Sequence, residues 1–451
     1  MSEIREITSA RFRRVGAHSH IKGLGLKGLK ALPVADGMVG QVKAREAAGI
    51  IVKMIKEGKM AGRAILLAGP VGSGKTAIAY AIAKELGEDV PFISISGSEV
   101  YSAEIKKSEV LMQAMRKAIG VRIHEYRQVY EGEITELDIK FEKNPYNPYQ
   151  QVPVGAVLGL RTKKEEKRFN VGQNIAIGLI NQGCRVGDII EIDAETGRVV
   201  RLGRSMEAKR TADIEAERYV PVPDGTILKE KEFVYTVTLH DLDEMQARRG
   251  SFLSLLFGGG EEKEISPEIR EEVDTKVKEL VNAGRAEIIP GVLFIDEVHM
   301  LDIELFSFLC RAMESELAPI IILATNRGIA RIRGTDYKSP HGMPPDLLDR
   351  LLIIITEPYS RDEIKKILEI RAKEENVKIS EKALNYLTSI GEKHSLRYAV
   401  QLLTPAYVIA KENGRDEVTL EDIKKVTKLF SDVSKSARYL KELEEKFITV
   451  S

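Results

Sequence analysis

The residues best suited to chemistry in this 451-residue chain form a glycine-rich run between two predicted elements. The run GPVGSGKT matches the phosphate-loop spacing G-x-x-x-x-G-K-[ST] and lies between an apolar strand, 64–68, and a helix. Its glycines let backbone N–H groups turn towards phosphate oxygens, while Lys75 reaches the β- and γ-phosphates and the Thr76 hydroxyl ligates Mg²⁺. The predicted phosphate-binding residues are Gly69, Pro70, Val71, Gly72, Ser73, Gly74, Lys75 and Thr76.

A pair of carboxylates, Asp296 and Glu297, directly follows an apolar strand at 292–295. Beside a phosphate loop, one carboxylate can hold Mg²⁺ and the next can polarise the water that attacks the γ-phosphate. Asp-Glu after a strand is as often structural as functional, but together with the loop it indicates hydrolysis. Asn326 follows another strand, 319–324, where its amide can orient that water, although Thr-Asn alone is more often a turn or a cap.

Two arginines are candidates for stabilising charge on a transferred phosphoryl group. Arg350 precedes an apolar strand at 351–355, and Arg397 begins a helix nearer the C-terminus. Without a family pattern, an ion pair of Arg350 with Asp346 or Asp349, or an ordinary charge on a helix surface, is the better interpretation.

These groups require a parallel sheet with helices on its faces to bring them together. The order strand, loop, helix, strand, helix over 64–119 is typical of such a sheet, and it resumes at 292–355. Between these parts, residues 128–240 show short alternating strands separated by turn residues, which predicts an all-β module. From 360 onwards only helical patterning appears, which indicates a helical bundle. Its five predicted helices lie at about 360–375, 380–392, 396–413, 419–430 and 434–446.

Composition limits the classes of protein and partner. The 68 basic and 68 acidic residues give a net charge of zero, so contact with nucleic acid would need a local basic patch. The two cysteines are too few for a disulfide framework and fit a reducing compartment. Because no apolar run has the length of a membrane span and the first 30 residues lack the apolar centre of a signal peptide, we expect a cytoplasmic protein, nuclear in a eukaryote, with no membrane partner.

Longer runs of sequence carry a family resemblance. The order phosphate loop, Asp-Glu, Asn, Arg before a strand and Arg in a helical segment resembles the AAA+ ATPases, and in detail the chain is similar to the RuvB-like family, pontin and reptin. The matching runs are GAHSH at 16–20, GLGL at 23–26, PGVLFIDEVHMLD at 290–302, ATNRG at 324–328, SPHG at 339–342, DLLDR at 346–350 and LRYAVQLLTP at 396–405. The resemblance covers essentially the whole chain.

The resemblance implies an α/β fold with three parts: an AAA+ P-loop NTPase core with a parallel sheet, an inserted OB-like all-β domain, and a C-terminal helical lid. The expected boundaries are 1–120 and 288–358 for the core, 121–287 for the inserted domain with its helical return, and 359–451 for the lid. The insert departs from the eukaryotic members mainly in its β-strand sequences and at 252–260, so their partner contacts are not carried over to this chain. The expected source is a prokaryotic or archaeal member.

Family roles carry over to matching positions. Asp296 is expected to bind Mg²⁺ with Thr76, and Glu297 to activate water. Asn326 corresponds to the first sensor and Arg397 to the second.

Two further assignments complete the expected site. Arg350 corresponds to the finger that reaches the nucleotide of a neighbouring subunit. The resemblance places an adenine pocket at His18, His20, Val39, Gly40, Gln41, Tyr359, Ile367 and Leu396, next to Arg397. Read alone, the two histidines fit a local hydrogen-bonding turn.

One basic run in the insert is a candidate surface for single-stranded or duplex DNA. It carries Arg161, Lys163, Lys164, Lys167 and Arg168 against two acidic residues. On an OB-like barrel such a face can follow a phosphate backbone, with Phe169 as the main candidate for base stacking. A solvated strand and turn is an equally good interpretation.

The expected ligands are therefore ATP or ADP and Mg²⁺, and the expected assembly is a homo-oligomeric ring, a hexamer. Such a ring would couple ATP turnover to the remodelling or assembly of nucleoprotein or protein complexes, and family members are described as DNA helicases. The alternative is a nucleotide-regulated scaffold with slow hydrolysis and no unwinding. A phosphate-loop kinase is disfavoured because the helical segment follows the AAA+ pattern.

Overall fold

A computed structural model of the protein describes residues 20–60, 62–101, 105–144, 147–206, 219–256, 264–431 and 436–441. The chain divides into two compact units. The first unit comprises Met1–Val121, Val237–Lys276 and Ile288–Ser451, and the second comprises Arg122–Thr236 and Val277–Glu287.

The described residues form short and long elements of both kinds. The strands are β1 Leu26–Lys27, β2 Lys30–Ala31, β3 Val34–Ala35, β4 Met38–Val39, β5 Ala64–Ala68, β6 Phe92–Ser96, β7 Ile119–Asn144, β8 Asn147–Arg161, β9 Glu166–Gly172, β10 Asp188–Asp193, β11 Val199–Ser205, β12 Tyr219–Val220, β13 Leu228–Thr238, β14 Ala286–Pro290, β15 Val292–Asp296, β16 Ile320–Thr325, β17 Ile329–Arg331, β18 Lys338–Pro340, β19 Leu351–Ile355, β20 Lys378–Ile379 and β21 Glu417–Val418. The helices are α1 Val42–Lys56, α2 Lys75–Leu86, α3 Lys107–Lys117, α4 Gln173–Asn181, α5 Leu239–Leu256, α6 Pro267–Asn282, α7 Ile303–Ala312, α8 Pro345–Leu348, α9 Arg361–Glu374, α10 Glu381–Lys393, α11 Leu396–Gln401, α12 Leu403–Glu412 and α13 Leu420–Leu429.

A five-stranded parallel sheet forms the centre of the first unit, in the order β19-β5-β16-β15-β6. Its inner strands are continuous apolar runs because helices cover both faces. Ile65 and Phe294 belong to the core that includes residues of α1 and α2, whereas Leu66 and Leu293 belong to the core with residues of α3 and α7. The predicted α/β core is confirmed.

The C-terminal helices α9 to α13 surround a core of their own, which includes Leu368, Leu387 and Val426. The predicted single helix at 396–413 is two helices, α11 and α12, and the short parallel pair β20–β21 was not predicted. Of the predicted helix 434–446, only 436–441 lies within the described residues.

The second unit is built on a sheet in the order β12-β11-β10-β7-β8-β9, with β13 and β14 also pairing with β7. The pairs β7–β8, β8–β9, β7–β10 and β10–β11 are antiparallel. The prediction of an all-β module was wrong at α4, whose Leu179 is buried with strand residues. The helix is short and dense in apolar residues, so its sequence shows no clear polar face.

Residues 237–276 lie in the first unit, whereas the expected boundaries placed them in the inserted domain. The reason is ionic contact with α3. The Arg116 guanidinium and the Asp243 carboxylate are both buried and meet at 2.6 Å, and Arg270 Nη1 donates to Glu109 Oε2 at 3.0 Å. These partners are more than a hundred residues apart in sequence, so local patterning could not reveal them. The other expected domain boundaries stay predictions.

No helix in the described part of the chain is both long and apolar enough to cross a membrane.

Candidate active site

The predicted phosphate loop joins the carboxyl end of β5 to the amino end of α2. Gly72 and Gly74 have φ angles of 79° and 83°, a left-handed conformation that favours glycine. A Cβ atom at Gly74 would also collide with the Tyr359 hydroxyl, so the third glycine of the run is required for two reasons. The helix that follows directs the positive end of its dipole at the loop.

Lys75 is the charged residue at this helix start, and its side chain is largely buried. Its Nζ donates to the carbonyl oxygens of Gly69 and Pro70 at 3.0 and 2.8 Å. Burial lowers the pKa of Lys75, and the nearby Asp296 charge opposes that shift. Among the described residues, none forms an ion pair with Lys75, so its charge is held beside the loop by neutral carbonyls.

The predicted carboxylates lie at the same edge of the sheet as the loop, because the carboxyl ends of parallel strands meet there. Asp296 ends β15, and the Glu297 N–H donates to Asp296 Oδ1 at 2.9 Å. Glu297 has a φ of 50°, a left-handed conformation that costs a non-glycine residue on the order of 1 kcal/mol. Strain of this kind concentrates at functional sites.

The phosphate loop, the carboxylates and residues of the lid helices line one cavity of about 370 Å³. The predicted residues that line it are His20, Val39, Val71, Gly72, Gly74, Lys75, Thr76, Asp296, Glu297, Asn326, Tyr359, Ile367, Leu396 and Arg397. The lining is of two chemical kinds. The loop and the strand ends supply polar and charged groups, whereas the segment 20–41 and the lid supply mainly apolar side chains.

Sequence reasoning missed eight lining residues, and helical spacing would have found half of them. Ile370 and Arg371 follow the predicted Ile367 by three and four positions, as Val400 and Gln401 follow Arg397. Such neighbours share a helix face. The other missed residues are Ile21, Gly37, Met38 and Ala77.

Tyr359 closes the loop side of the cavity. Burial raises the pKa of Tyr359 to about 12, with the Glu363 carboxylate adding to the effect. The phenol is therefore neutral at physiological pH and donates or accepts hydrogen bonds without adding charge near the loop.

A buried hydroxyl pair connects the loop to the start of the lid. Ser73 Oγ and Thr356 Oγ1 are 2.7 Å apart, and Ser73 Oγ also donates to the Pro70 carbonyl at 2.8 Å. Thr356 follows β19 and its N–H donates to the Ala68 carbonyl at 2.8 Å. Thr356 carried no motif, and its role depends on a contact 283 residues away in sequence.

Comparison with known protein families matches this arrangement along the chain. The TIP49 P-loop domain matches residues 14–362, and the TIP49 AAA-lid domain matches residues 367–432. The chain belongs to the RuvB-like family of AAA+ ATPases. RuvB-like protein 1 of Arabidopsis thaliana is 49% identical to it over 455 residues, which cover 99% of each chain. The predicted family, AAA+ fold and ATPase function are confirmed; the prokaryotic or archaeal source stays a prediction.

Three residues expected in the adenine pocket of this RuvB-like chain are not among the described residues that line the cavity. His18 lies outside the described residues. Gly40 packs instead against the Glu363 side chain, directly after Val39, which does line the cavity. Gln41 is also absent from the lining and exchanges two hydrogen bonds with the Glu357 backbone, at 2.5 and 3.1 Å.

Arg350 lies at the opposite end of the sheet from the loop. The next residue, Leu351, pairs with Ala64, the first residue of β5, and the loop follows the last. A strand of that length spans about 13 Å. Arg350 Nη1 donates to Glu314 Oε1 at 2.6 Å, so the expected alternative partners Asp346 and Asp349 are not the ones used. The structure does not bring Arg350 to the site of its own chain.

The basic run of the second unit is largely ion-paired. Four of its five basic side chains meet carboxylates: Arg161 with Glu133 at 2.7 Å, Lys163 with Asp224 at 3.1 Å, Lys167 with Glu165 at 2.8 Å, and Arg168 with Glu136 at 2.7 Å. Phe169, predicted to stack on bases, packs instead on Tyr130 with ring centroids 5.3 Å apart and belongs to the edge of the core. The ring is therefore only partly exposed, and its role in base stacking stays a prediction.

Proposed function

We propose that the cavity of the first unit binds ATP or ADP, with the phosphates on the loop and the base among the apolar side chains. The observation that supports this best is that Lys75, Asp296, Glu297, Asn326 and Arg397 line one cavity. They come from the loop, two strand ends and the lid, so only the folded chain unites them.

We infer a direct hydrolysis in which the chain's own residues position and polarise the reactants. Glu297 accepts a proton from the attacking water, and Asn326 holds that water in line with the γ-phosphate. Lys75 neutralises charge that develops on the β- and γ-phosphate oxygens. Arg397 adds a second positive charge from the lid.

The residues present fit a magnesium ion. Thr76 and Asp296 line the same cavity and offer a hydroxyl and a carboxylate, the hard oxygen donors that Mg²⁺ prefers. The described residues contain no group of three or more His, Cys, Asp and Glu side chains that could hold a metal ion by themselves. Mg²⁺ in nucleotide sites is commonly bound by one or two protein oxygens together with phosphates and water. When bound, Mg²⁺ supplies charge neutralisation to the phosphates.

We further propose a homo-oligomeric ring, a hexamer, in which Arg350 reaches the nucleotide of the neighbouring subunit. The support is its position: Arg350 is exposed at an ion pair and far from its own loop. A finger supplied in trans makes hydrolysis depend on assembly.

Glu297→Gln tests the hydrolytic assignment. We expect kcat for ATP to fall by about 10²–10⁴-fold, the range for removal of a general base, while ATP affinity is retained. Glu412→Gln, an exposed glutamate of α12, is the matched control and should leave turnover unchanged. Equal turnover in wild-type protein and Glu297→Gln would exclude Glu297 as the base.

We propose that turnover drives the remodelling or assembly of protein or nucleoprotein complexes. The sequence supports this because the second unit is inserted between the two halves of the ATPase core. Steady-state turnover with and without a client separates this motor from the scaffold alternative, in which turnover stays slow in both.

We propose DNA unwinding as a further activity of the ring, by a surface other than a free basic run. For Lys164, alone among the five basic residues of the run, the structure describes no carboxylate partner. The ion pairs of the other four argue against a free phosphate-binding face. Strand separation of a labelled duplex in the presence of ATP tests the proposal, and Glu297→Gln is the control without hydrolysis.

A further inference from the structure

Arg45 of α1 is a charged side chain on a buried helix face. It is 0% exposed, although Ala44, Ala48 and Val52 around it are the small and apolar residues expected there. Its guanidinium forms no ion pair with any of the described carboxylates. Burying a cation without an ionic partner is costly, so the contacts that compensate it must be strong.

Those contacts are four hydrogen bonds to backbone carbonyls of a single stretch. Nε donates to Leu24 O at 2.7 Å and Nη2 to Gly25 O at 2.9 Å, while Nη1 donates to Leu32 O at 2.7 Å and to Gly40 O at 3.0 Å. One planar group therefore fixes both ends and the middle of residues 24–40, which contain only the two-residue strands β1 to β4.

The stretch held in this way forms one wall of the nucleotide cavity. Gly37, Met38 and Val39 line the cavity, and all three lie between the carbonyls of Leu32 and Gly40 that Arg45 holds. Arg45 itself is not among the lining residues. Any influence on the ligand must therefore act through this wall.

A second contact fixes the same wall to the start of the lid. Gln41 lies two residues after Val39 and has a φ of 51°. Its side-chain amide donates a hydrogen bond to the Glu357 carbonyl and accepts one from the Glu357 N–H. The wall is thus held on one side by Arg45 and on the other by Gln41.

We propose that Arg45 is a positioning residue for the base end of the nucleotide site, setting affinity and base selectivity through the wall 37–39 without touching the ligand. The proposal rests on the proposed function, since it requires that the base lies against this wall. Lysine cannot replace arginine here, because an ammonium is a point donor and cannot reproduce a planar fork directed at four carbonyls.

The experiment compares ADP with inorganic pyrophosphate, which has the phosphates but no base. Calorimetric titration of full-length wild-type protein and Arg45→Lys, both with Mg²⁺, gives the two dissociation constants. We expect ADP binding to weaken about tenfold, the size of losing charged hydrogen bonds, with pyrophosphate binding changed less than about twofold. The preference for ADP over GDP should also fall.

Two outcomes would overturn the proposal. Equal weakening of ADP and pyrophosphate would mean that Arg45 supports only the fold as a whole, and unchanged ADP binding would mean that the wall does not depend on Arg45. If wild-type protein itself binds ADP no more tightly than pyrophosphate, the proposed base site is wrong, which is a separate failure.

If thermal unfolding shows that Arg45→Lys does not fold, a second variant tests the proposal. Gln41→Ala removes the partly exposed contact on the other side of the wall. We expect the same selective loss of ADP affinity, about threefold, for two hydrogen bonds at a partly solvated site. No loss, or an equal loss for pyrophosphate, would contradict the proposal.

Discussion

Lys75 and the basic run at 161–168 both carry positive charge in sequence patterns that predict phosphate binding. Their surroundings in the folded chain differ in burial and in ion pairing. The Lys75 ammonium is largely buried and donates hydrogen bonds to the carbonyls of Gly69 and Pro70, with no ion pair among the described residues. In the run of the second unit, four of five cations are partly or largely exposed and each meets a carboxylate. The Lys75 charge is therefore not neutralised by a described carboxylate, whereas most charges of the basic run are.

Local net charge is therefore a poor indicator of an anion-binding site. At the loop, the helix dipole and inward backbone N–H groups add to a charge screened from water, which strengthens its interactions. On the exposed strand and turn, each ion pair contributes about 0–1 kcal/mol and water screens the rest. Placement, not charge count, separates the two regions.

The largest expected effect comes from the buried cation. Lys75→Met should lower kcat/KM for ATP by about 10³-fold, because it removes a preorganised charge in a water-poor site. Steady-state ATPase assays measure it, with Lys163→Met as the matched change in the exposed run. A large loss in Lys163→Met would show that the exposed run also contributes to ATP turnover.

Arg350 is the intermediate case, exposed and ion-paired in the single chain but proposed to change partners in the ring. Arg350→Ala should lower turnover of assembled rings by about 10²–10³-fold, an effect at or just below the lower end of the range known for finger arginines. Glu314→Gln removes only the partner seen in this structure and should stay within twofold of wild type, roughly the effect of one surface ion pair. Native mass spectrometry must show equal assembly. Wild-type turnover in Arg350→Ala rings would remove the assignment.

The hydroxyl pair behind the loop should matter less than either cation. Thr356→Val leaves Ser73 without its 2.7 Å partner, and leaving one buried hydrogen bond unmade costs about 1–3 kcal/mol. We expect ATP affinity to fall about tenfold. Thr388→Val is a matched control, since Thr388 is equally buried but bonds to Leu384 O within the lid at 2.8 Å. Equal losses in both variants would show a general effect on stability.

The smallest effect is expected from the exposed run. Changing Lys163, Lys164, Lys167 and Arg168 together to Ala should leave ATP turnover within about twofold and change the slope of single-stranded DNA affinity against salt by less than about one, the contribution of one phosphate contact. Fluorescence anisotropy over a salt series measures that slope. A fall of three or four in that slope would show that these side chains exchange carboxylates for phosphates and that the run binds DNA.

Motifs whose function depends on neighbouring residues were predictable here. The spacing of the phosphate loop, the Asp-Glu pair after a strand and the apolar runs of β5, β15 and β16 are local properties, and all three agree with the structure. Residues that act through distant partners were not: neither Thr356 nor the Arg116–Asp243 pair has a local pattern. Arg45 has one local signal, a charge on the apolar face of a helix.

Sequence motifs and strand periodicity were enough to indicate the family and the parallel core, and their spacing predicts which residues bind phosphate and hydrolyse ATP. Which basic side chains are free of carboxylate partners, and so able to interact with a ligand, depends on the tertiary structure. Arg350 lies away from its own loop, four of the five basic residues of the run at 161–168 meet carboxylates, and Phe169 is partly buried against Tyr130. The physical reason is that burial and partners set the strength of a charge, and both come from residues distant in sequence.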